Sequence, residues 1–382
     1  MLVEVKGVQF VNKGAELMLH AVIEQLALHL PKADVVLLPG LNSPYKVRAR
    51  LGALQKFTLQ KGRFECNNLS YYIPARLRGW LQHRFGLVTE ADIDLLLDAS
   101  GFAYGDQWPD TAIVHLAAEL KRYARGGKPY IFLPQAFGPF SRAKDRRLLA
   151  QALPLASLIC ARDQQSYDYL AALLPDTSKL VLFPDFTNLV SIDPQVTVPP
   201  RTALIIPNAN MLSAKSAQPQ WLTHYIPFLI AAARELQQLG YQPVFLNHEG
   251  AADQRLIEQV LAGAGVNYPV WQEPHPVRVK SLIAGSALVL SSRFHGCVSA
   301  LSQGVPCIGT SWSHKYQALF ADYLQSDALI EPDLSMEQLR QLIDILSKRC
   351  HLAEVVQRRD SLKQQSLTLW QRVFATLQPV KS

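Results

Sequence analysis

The sequence predicts an α/β protein of two doubly wound, Rossmann-like domains that face a cleft. The length of 382 residues is more than twice that of an ordinary domain, so two domains are expected. Apolar residues make up 49% of the chain and charged residues 18%, a balance that supports large buried cores. Short β-branched runs alternate with amphipathic segments, which is typical of parallel strands joined by crossover helices. Ligands are therefore expected between the domains, at the carboxyl ends of the strands.

The first domain is predicted to comprise residues 1–192. Its strands are expected at 2–8, 35–38, 93–97, 129–133, 157–161 and 180–183, and its helices at 13–29, 111–125, 142–153 and 163–174. Pro31 stops the first of these helices, and the pair Gly126-Gly127 stops the second. The stretch 43–84 has no regular period and is basic.

The second domain is predicted to comprise residues 193–350. It follows a linker at 191–201 whose three prolines favour an extended chain. Strands are expected at 203–206, 243–247, 287–290 and 306–309, and helices at 221–239, 252–262 and 295–303. The tail from 336 to 377 is predicted to be helical throughout, and residues 351–382 to form a carboxyl-terminal helix that crosses back to the first domain.

Composition and charge exclude several classes of protein. The 38 basic and 31 acidic residues give a net charge of +7, which suits an anionic small ligand or membrane surface and is too diffuse to indicate nucleic acid. Five irregularly spaced cysteines predict reduced thiols, and the ten histidines form no metal-binding motif, so neither a metal nor a cofactor is expected. No apolar run reaches the roughly 18 residues of a membrane span. The start of the chain has no signal-peptide core, so cytoplasmic residence is expected.

The most informative segment spans residues 287–309 and contains Arg293 and His295. A buried strand stops at Ser292 and a helix begins near His295, so both side chains are expected on the turn between them. Free backbone N–H groups and the helix dipole favour an anion there, and arginine offers a planar fork for phosphate or carboxylate. His295 can exchange a proton near neutral pH. An ion pair for Arg293 and a capping role for His295 remain the alternative.

Other predicted strand ends carry polar groups of the same kind. Arg162 follows a buried strand and could hold an anion or pair with Asp163 or Asp168, and Asp163 is also a predicted helix cap. The remaining candidates in such turns are Asn12, Gly14, Glu16, Asp98, Gln135, His248, Glu249 and Lys315. Because parallel strands place their carboxyl ends at one edge of a sheet, these groups favour a ligand site at that edge.

These residues carry a resemblance to a known family. Ser292-Arg-Phe-His-Gly296, followed by Gly304-Val-Pro-Cys-Ile-Gly309, resembles the signature of the polysaccharide pyruvyl transferases. Segments at 12–16, 98–101, 134–140, 161–166 and 184–185 follow the family's order, so the resemblance covers the chain from the first strand to about Lys315. The sequence departs from the family at Asp98-Ala-Ser-Gly101, where many members have a denser glycine run.

The resemblance implies a fold like that of the GT-B glycosyltransferases. It also implies transfer of a pyruvyl group from phosphoenolpyruvate, as a co-substrate, to two hydroxyls of a glycan or lipid-linked sugar. The product is a cyclic ketal, made in exopolysaccharide or cell-surface glycan biosynthesis. The first domain is then the acceptor side and the second the phosphoenolpyruvate side, with the anion site between them and built mainly by the second.

The resemblance also suggests roles for the candidate residues. Arg162, Arg293, His295 and Lys315 would bind phosphoenolpyruvate. His295 would be the general acid or a phosphate ligand that protonates the leaving group, with His248 and His314 as the next candidates for the acid. Glu16 or Asp98 would accept a proton from the sugar hydroxyl. The possible acceptor or cleft residues are Asn12, Gly14, Glu16, Asp98, Gln135, His248 and Glu249.

Two other functions remain open at the level of sequence. A nucleotide-sugar-dependent glycosyltransferase or epimerase has the same two-domain shape, and in it Glu249 or Asp253 would face a ribose. A non-catalytic glycan-binding protein on the same fold is the second alternative.

The basic stretch from Arg48 to Arg84 is the candidate for contact with a membrane. It would touch anionic lipid or a lipid-linked acceptor, or else form an ordinary solvated basic face. Peripheral contact at the inner face of the membrane is therefore the most that is expected.

Overall fold

A computed structural model of the protein describes residues 1–61, 64–213, 218–311, 313 and 315–377. The chain forms two compact units. The first contains Met1–Phe10, Met18–Phe186 and the chain from Gln365 onwards, and the second contains Val11–Leu17 and Thr187–Gln364. The chain thus passes from the first unit to the second after Phe186, a few residues before the expected domain boundary at 192. The short segment Val11–Leu17, expected in the first domain, groups with the second.

The first unit is built on an eight-stranded sheet whose strand pairs are all parallel. Its strands, in spatial order, are β10 (Leu180–Leu182), β9 (Leu158–Ala161), β8 (Tyr130–Gln135), β7 (Leu95–Asp98), β1 (Leu2–Lys6), β2 (Asp34–Leu37), β3 (Leu54–Lys56) and β6 (Leu87–Val88). A separate antiparallel pair joins β4 (Gln60–Lys61) to β5 (Phe64–Glu65). Every residue of β7, β8 and β9 is buried, as expected for central parallel strands covered on both faces.

Crossover helices connect the strands of the first unit. They are α1 (Lys13–His29), α2 (Tyr45–Arg50), α3 (Ala75–Phe85), α4 (Thr111–Arg125), α5 (Ala143–Ala152) and α6 (Gln164–Ala171). Helix α4 buries Ile113, Leu116, Leu120 and Tyr123, the three-to-four-residue spacing of a helix with one apolar face. By contrast, no residue of α3 is buried.

The second unit is built on a six-stranded sheet that is also parallel throughout. Its strands, in spatial order, are β13 (Val270–Trp271), β12 (Gln242–Leu246), β11 (Thr202–Ile206), β14 (Leu288–Ser291), β15 (Cys307–Thr310) and β16 (Leu329–Ile330). Its helices are α7 (Trp221–Gln238), α8 (Gly250–Ala264), α9 (Pro276–Ala284), α10 (Phe294–Gln303), α11 (Lys315–Asp322) and α12 (Met336–Arg349). The alternation of strand and helix confirms the predicted α/β class.

The tail differs from the prediction of one continuous helix. Helix α12 ends at Arg349, and a separate helix α13 (Ala353–Ala375) follows a short break. The later part of α13 belongs to the first unit, where Trp370 packs edge-on against Phe186 with 5.8 Å between ring centroids.

The basic stretch also differs from the expected solvated face. Arg48 and Lys56 are buried, and Arg78 is paired with Asp92 at 2.7 Å. Arg63 lies outside the described residues. Burial of Lys56 is possible because Glu4 and Glu119 neutralise its ammonium group.

All five cysteines are free thiols, four of them buried. Among the helices of the described chain, none combines the length and apolar character needed to cross a membrane.

Candidate functional site

The turn between β14 and α10 carries Arg293 and His295. The strand ends at Ser291, and α10 begins at Phe294, one residue before the predicted start. Arg293 is the N-cap residue with an extended backbone. The Ser291 hydroxyl accepts a hydrogen bond from the Arg293 amide at 3.1 Å and donates to the Arg293 carbonyl at 3.0 Å. This local bonding fixes the direction in which the Arg293 side chain leaves the turn.

Ser292, in the same turn, is held by four other elements. Its carbonyl accepts hydrogen bonds from the side chains of Asn208 at 3.0 Å and Tyr316 at 2.8 Å. Its hydroxyl accepts one from Thr310 at 2.7 Å and is bonded to the Tyr225 hydroxyl. The turn is therefore rigid before any ligand binds. Their hydrogen bonds to Ser292 could not be predicted from the sequence, because no local motif links these four residues to Ser292.

The guanidinium of Arg293 is buried between two carboxylates. Its Nε donates to Asp253 at 2.9 Å, and its Nη2 bonds the other oxygen of the same carboxylate. Its Nη1 forms an ion pair with Glu249. The Asp253 side chain is fully buried, whereas that of Glu249 is 28% exposed. Arg293 thus forms ion pairs, as in the alternative to anion binding given above. Of its two carboxylate partners, only Glu249 is accessible to solvent.

The charges around Arg293 act against one another. Burial lowers the pKa of Arg293 to about 10 and raises that of Asp253, while the two-pronged ion pair favours the charged form of both. We take the pair to be ionised, because two charge-assisted hydrogen bonds join it. With two carboxylates against one guanidinium, these three side chains have no surplus positive charge.

The imidazole of His295 lies against the start of α1. It is half-buried, and a Cβ atom on residue 14 would stand only 2.3 Å from its Nδ1. Only glycine at position 14 leaves room for this ring. The close approach at Gly14 is therefore between the backbone and a side chain of the same unit.

The first turn of α1 satisfies its own polar groups. The Asn12 side chain accepts hydrogen bonds from the amides of Gly14 at 2.9 Å and Ala15 at 3.3 Å. Glu16 is buried and paired with Lys13 at 2.6 Å. Burial raises the pKa of Glu16, and Lys13 partly opposes that rise. Glu16 is thereby a better proton acceptor than a solvent-exposed glutamate.

His248, after β12, is buried near the same groups. Its carbonyl accepts a hydrogen bond from the Lys13 amide at 3.3 Å, and its Nδ1 has no hydrogen-bond partner among the described residues. Burial, together with the charges of Arg293, His295 and Lys13, holds the pKa of His248 well below its usual value. The ring is therefore neutral at physiological pH and a weak candidate for the general acid. The other reserve candidate, His314, lies outside the described residues.

Lys315, the first residue of α11, is directed toward aromatic rings. Its ammonium lies 5.1 Å from the centre of the Phe294 ring, a cation–π distance. Phe294 is the neighbour of both Arg293 and His295. A donor-binding role for Lys315 remains a prediction.

Arg162, in the first unit, is buried and held in place. Its Nη1 donates to Asp185 at 2.8 Å and its Nη2 to the Gly101 carbonyl at 3.3 Å. The carboxylate partner is thus Asp185, not Asp163 or Asp168. Asp163 accepts a hydrogen bond from the Ser166 amide at 2.7 Å and caps α6 as predicted. An anion-binding role for Arg162 remains a prediction.

Asp98 and Gln135 lie beside Arg162 in the first unit. The Asp98 carboxylate accepts four hydrogen bonds, two from Ser100 and one each from Tyr104 and Tyr130. Such a saturated carboxylate is typical of a structural group, and the role of Asp98 as acceptor of a substrate proton remains a prediction. Gln135 donates to the Asp98 carbonyl at 3.3 Å, and its buried Oε1 has no partner in the described part of the chain.

The candidate residues therefore form two groups. The second unit brings together Asn12, Gly14, Glu16, His248, Glu249, Arg293 and His295, and the first unit brings together Asp98, Gln135 and Arg162. Across the described ranges, no cluster of three or more His, Cys, Asp or Glu side chains could hold a metal ion.

Solved structures with the same fold cover almost the whole chain. The UDP-GlcNAc 2-epimerase of Neisseria meningitidis, bound to UDP-GlcNAc, matches with a TM-score of 0.58, 14% identity and 99% coverage of both chains. Anabaena Alr3699/HepE, in complex with UDP and glucose, matches with a TM-score of 0.52, 13% identity and 99% coverage of both chains. The UDP-GlcNAc 2-epimerase of Methanocaldococcus jannaschii gives 0.54, 10% identity and coverage of 91% and 93%. These similarities confirm the GT-B-like fold.

Sequence comparison identifies the family. No curated protein sequence matches the chain significantly. The sequence profile for polysaccharide pyruvyl transferase matches residues 12–314, which include Asn12 at one end and the Arg293–His295 turn near the other. The chain belongs to the polysaccharide pyruvyl transferase family.

Proposed function

We propose that the protein transfers the pyruvyl group of phosphoenolpyruvate to two hydroxyls of a glycan sugar and forms a cyclic ketal during the synthesis of a cell-surface polysaccharide. Membership of the family indicates a transferase of polysaccharide pyruvylation. The observation that carries the finer proposal is the rigid turn of Arg293 and His295, which places a guanidinium and an imidazole at the amino end of α10. Phosphoenolpyruvate needs both a cation and a proton donor.

The reaction can be written with atoms and protons in balance. A proton is added to C3 of phosphoenolpyruvate, and the oxygen of one sugar hydroxyl bonds to the electron-deficient C2. The bond from C2 to the phosphate oxygen breaks, and phosphate leaves with the electron pair. The second hydroxyl then bonds to C2 and closes the ketal. The two hydroxyl protons replace the one added to C3 and the one carried away by phosphate.

Each catalytic group takes a role that its surroundings support. Arg293 binds the donor through Nη1, which exchanges Glu249 for the anion, while Asp253 continues to hold Nε and Nη2. His295, half-buried beside Gly14, protonates C3. Glu16, with its pKa raised by burial, accepts the proton of the attacking hydroxyl.

The nucleotide-sugar alternative rests on fold alone. Some of the similar solved structures are described with UDP or a UDP-sugar. At sequence identities of 10–14%, the similarity indicates a shared fold and not a shared ligand. A ligand-dependent thermal shift separates the two functions. We expect phosphoenolpyruvate to raise the melting temperature and UDP to leave it unchanged. Stabilisation by UDP with none by phosphoenolpyruvate would favour a nucleotide-sugar enzyme.

A variant pair makes the same experiment specific to the site. Arg293→Lys keeps the charge but loses the planar fork, so the shift caused by phosphoenolpyruvate should shrink. Arg255→Lys, on the exposed side of α8, is the matched control and should respond like the parent protein. Equal shifts in both variants would remove Arg293 from the donor site.

We also infer peripheral contact with an anionic membrane on the cytoplasmic side, where phosphoenolpyruvate is made. Helix α3 exposes Leu77, Trp80 and Phe85 at 47%, 51% and 55%. Arg76 and Arg84 are exposed on the same helix. Exposed aromatic and aliphatic side chains among arginines suit the interface of an anionic bilayer. The contact surface is thus narrower than the predicted stretch from Arg48 to Arg84.

Vesicle sedimentation tests the membrane contact. Vesicles that contain phosphatidylglycerol should retain the protein, and vesicles of phosphatidylcholine alone should not. Trp80→Ser should weaken retention, whereas Leu28→Ser, which changes an isolated exposed leucine on α1, should not. Equal retention by both variants, or by both kinds of vesicle, would contradict the contact.

A further inference from the structure

A cleft of about 440 Å³ opens in the first unit, and the described residues that line it include none of the catalytic candidates discussed above. It is lined by β1 and β3, by the loops that follow β2 and β7, and by one face of α4. In parallel α/β sheets, ligands bind at the carboxyl ends of strands, where this cleft lies. Its volume is within the ~300–1,000 Å³ usual for small-molecule sites.

The floor of the cleft is a network of paired charges. Lys56 bonds to Glu4 at 2.7 Å and to Glu119 at 3.3 Å, and Lys6 bonds to Glu119 at 2.6 Å. Beside them, Arg122 donates to Glu65 at 3.0 Å. Among the residues that the structure describes, the charged side chains that line the cleft are three acids and three bases, Glu4, Glu65, Glu119, Lys6, Lys56 and Arg122, and the charges of these six cancel.

Lys6, Lys56 and Glu119 stay ionised at neutral pH. Burial raises the pKa of Glu4, whereas the attraction of Lys56, which donates hydrogen bonds to both of its oxygens, favours its ionised form. Burial alone would raise the pKa of Glu119, but the ammonium groups of Lys6 and Lys56 lower it to about 2. The pKa of Lys56 is raised because Glu4 and Glu119 outweigh the effect of burial. The cleft therefore presents strong donors and strong acceptors side by side, without a net charge to attract an anion.

The wall of the cleft offers a further donor. The amide of Gln60 donates to Nδ1 of His115 at 2.9 Å, so the ring proton lies on Nε2. That Nε2 is buried and has no hydrogen-bond partner among the residues described. A buried N–H that lacks a partner is costly unless a ligand or water accepts from it. The wall of the cleft therefore includes a histidine whose N–H group is not hydrogen-bonded to any described residue.

We propose that this cleft binds an uncharged hexose unit of the glycan acceptor. A sugar hydroxyl both donates and accepts, so it matches alternating carboxylate and ammonium groups better than any purely anionic ligand does. The balanced charge also keeps the phosphoenolpyruvate trianion out of this site and leaves the donor to Arg293. The proposal rests on the proposed function only in naming the bound sugar as the acceptor.

Binding of simple glycosides tests the proposal without any turnover. Saturation-transfer NMR on the full chain, without phosphoenolpyruvate, would use methyl glucoside, galactoside, mannoside and glucuronide as probes. At least one neutral glycoside should bind, and the glucuronide should bind at least tenfold more weakly. A preference for the glucuronide, or no signal from any neutral probe, would overturn the proposal.

Two matched variants locate the binding. Ala112→Phe fills the cleft from α4 and leaves every polar group in place, whereas Ala124→Phe adds the same ring at an exposed position of the same helix. Glycoside binding should fall at least tenfold in the first variant and remain unchanged in the second. His115→Ala, which removes one lining side chain of the cleft, should also weaken glycoside binding. It replaces Ala112→Phe as the test if that variant fails to fold. Equal binding in all three would overturn the proposal.

The outcome separates this proposal from the proposed function. If the ketal product forms and Ala112→Phe leaves the KM for the acceptor unchanged, the cleft is not the acceptor site although the function stands. If the cleft binds glycosides but no phosphoenolpyruvate-dependent product forms, the sugar site stands and the proposed function fails.

Discussion

Replacing Glu249 with glutamine should strengthen the binding of phosphoenolpyruvate. In the free protein, the Glu249 carboxylate occupies Nη1 of Arg293, the position proposed for the donor anion. Glu249→Gln keeps the size of the side chain and removes its negative charge. The donor then displaces a neutral amide, and the Glu249 carboxylate is no longer there to repel it, while Asp253 still holds Nε and Nη2.

The size of the effect follows from the exposure of the two side chains. Two unit charges about 4 Å apart interact by about 1 kcal/mol in water and about 4 kcal/mol at an effective dielectric constant of about 20. The Glu249 side chain is 28% exposed and that of Arg293 is 8% exposed, so the interaction lies between these limits. A gain of about 1–2 kcal/mol corresponds to a roughly 5–30-fold lower Kd for the donor.

Isothermal titration with phosphoenolpyruvate measures this change directly. Glu258→Gln is the matched control, because Glu258 is an exposed glutamate on α8, the helix that begins directly after Glu249, and its replacement changes the net charge by the same amount. An unchanged or higher Kd for Glu249→Gln, relative to this control, would refute the competition between Glu249 and the donor.

Three further outcomes test the site and the first unit. Gly14→Ala should displace the His295 ring and lower kcat at least tenfold, while the protein still folds. Gly79→Ala, which has open space at its Cβ position, should change neither kcat nor the melting temperature. Steady-state kinetics and thermal melts measure both effects. His295→Gln should lower kcat by about 10²–10⁴-fold and leave the donor Kd nearly unchanged; an equal loss of donor binding would make His295 a phosphate ligand. Glu119→Gln should destabilise the protein by about 3–5 kcal/mol, because Lys6 loses the carboxylate 2.6 Å away and Lys56 loses one of its two buried partners. The pKa of Glu119 is lower in the folded protein than in the unfolded chain, so its contribution to the free energy of unfolding should be lost as the pH drops from about 4.3 toward about 2. In denaturant melts, the free energy of unfolding of the variant should therefore fall less over this pH range than that of the parent protein.

The order of strands and helices was predictable because it depends on local patterns. Buried runs such as Leu95–Asp98 and Tyr130–Gln135 are strongly apolar and mark central parallel strands. The short strands Leu54–Lys56 and Leu87–Val88 were missed, since two or three residues carry too little periodicity to be recognised. The turn of Arg293 and His295 was predicted because it directly follows such an apolar run, the buried strand β14.

The partners of the charged residues could not be predicted from sequence. Asp253 lies 40 residues before Arg293, and Glu4 and Glu119 lie 52 and 63 residues from Lys56. No local pattern encodes such pairs, which depend on strand order and helix packing. Lys56 was therefore assigned to a basic surface although it is buried in an ionic network.

We propose above that the protein forms a pyruvyl ketal from phosphoenolpyruvate. The most direct test of this proposal is incubation with phosphoenolpyruvate and a panel of sugar acceptors, in which released phosphate and the mass of the acceptor are measured together. We expect each phosphate released to be matched by one pyruvyl group gained by an acceptor, and Arg293→Ala to abolish both signals. Phosphate release with no change in acceptor mass, or acceptor modification that requires a UDP-sugar, would contradict the proposal.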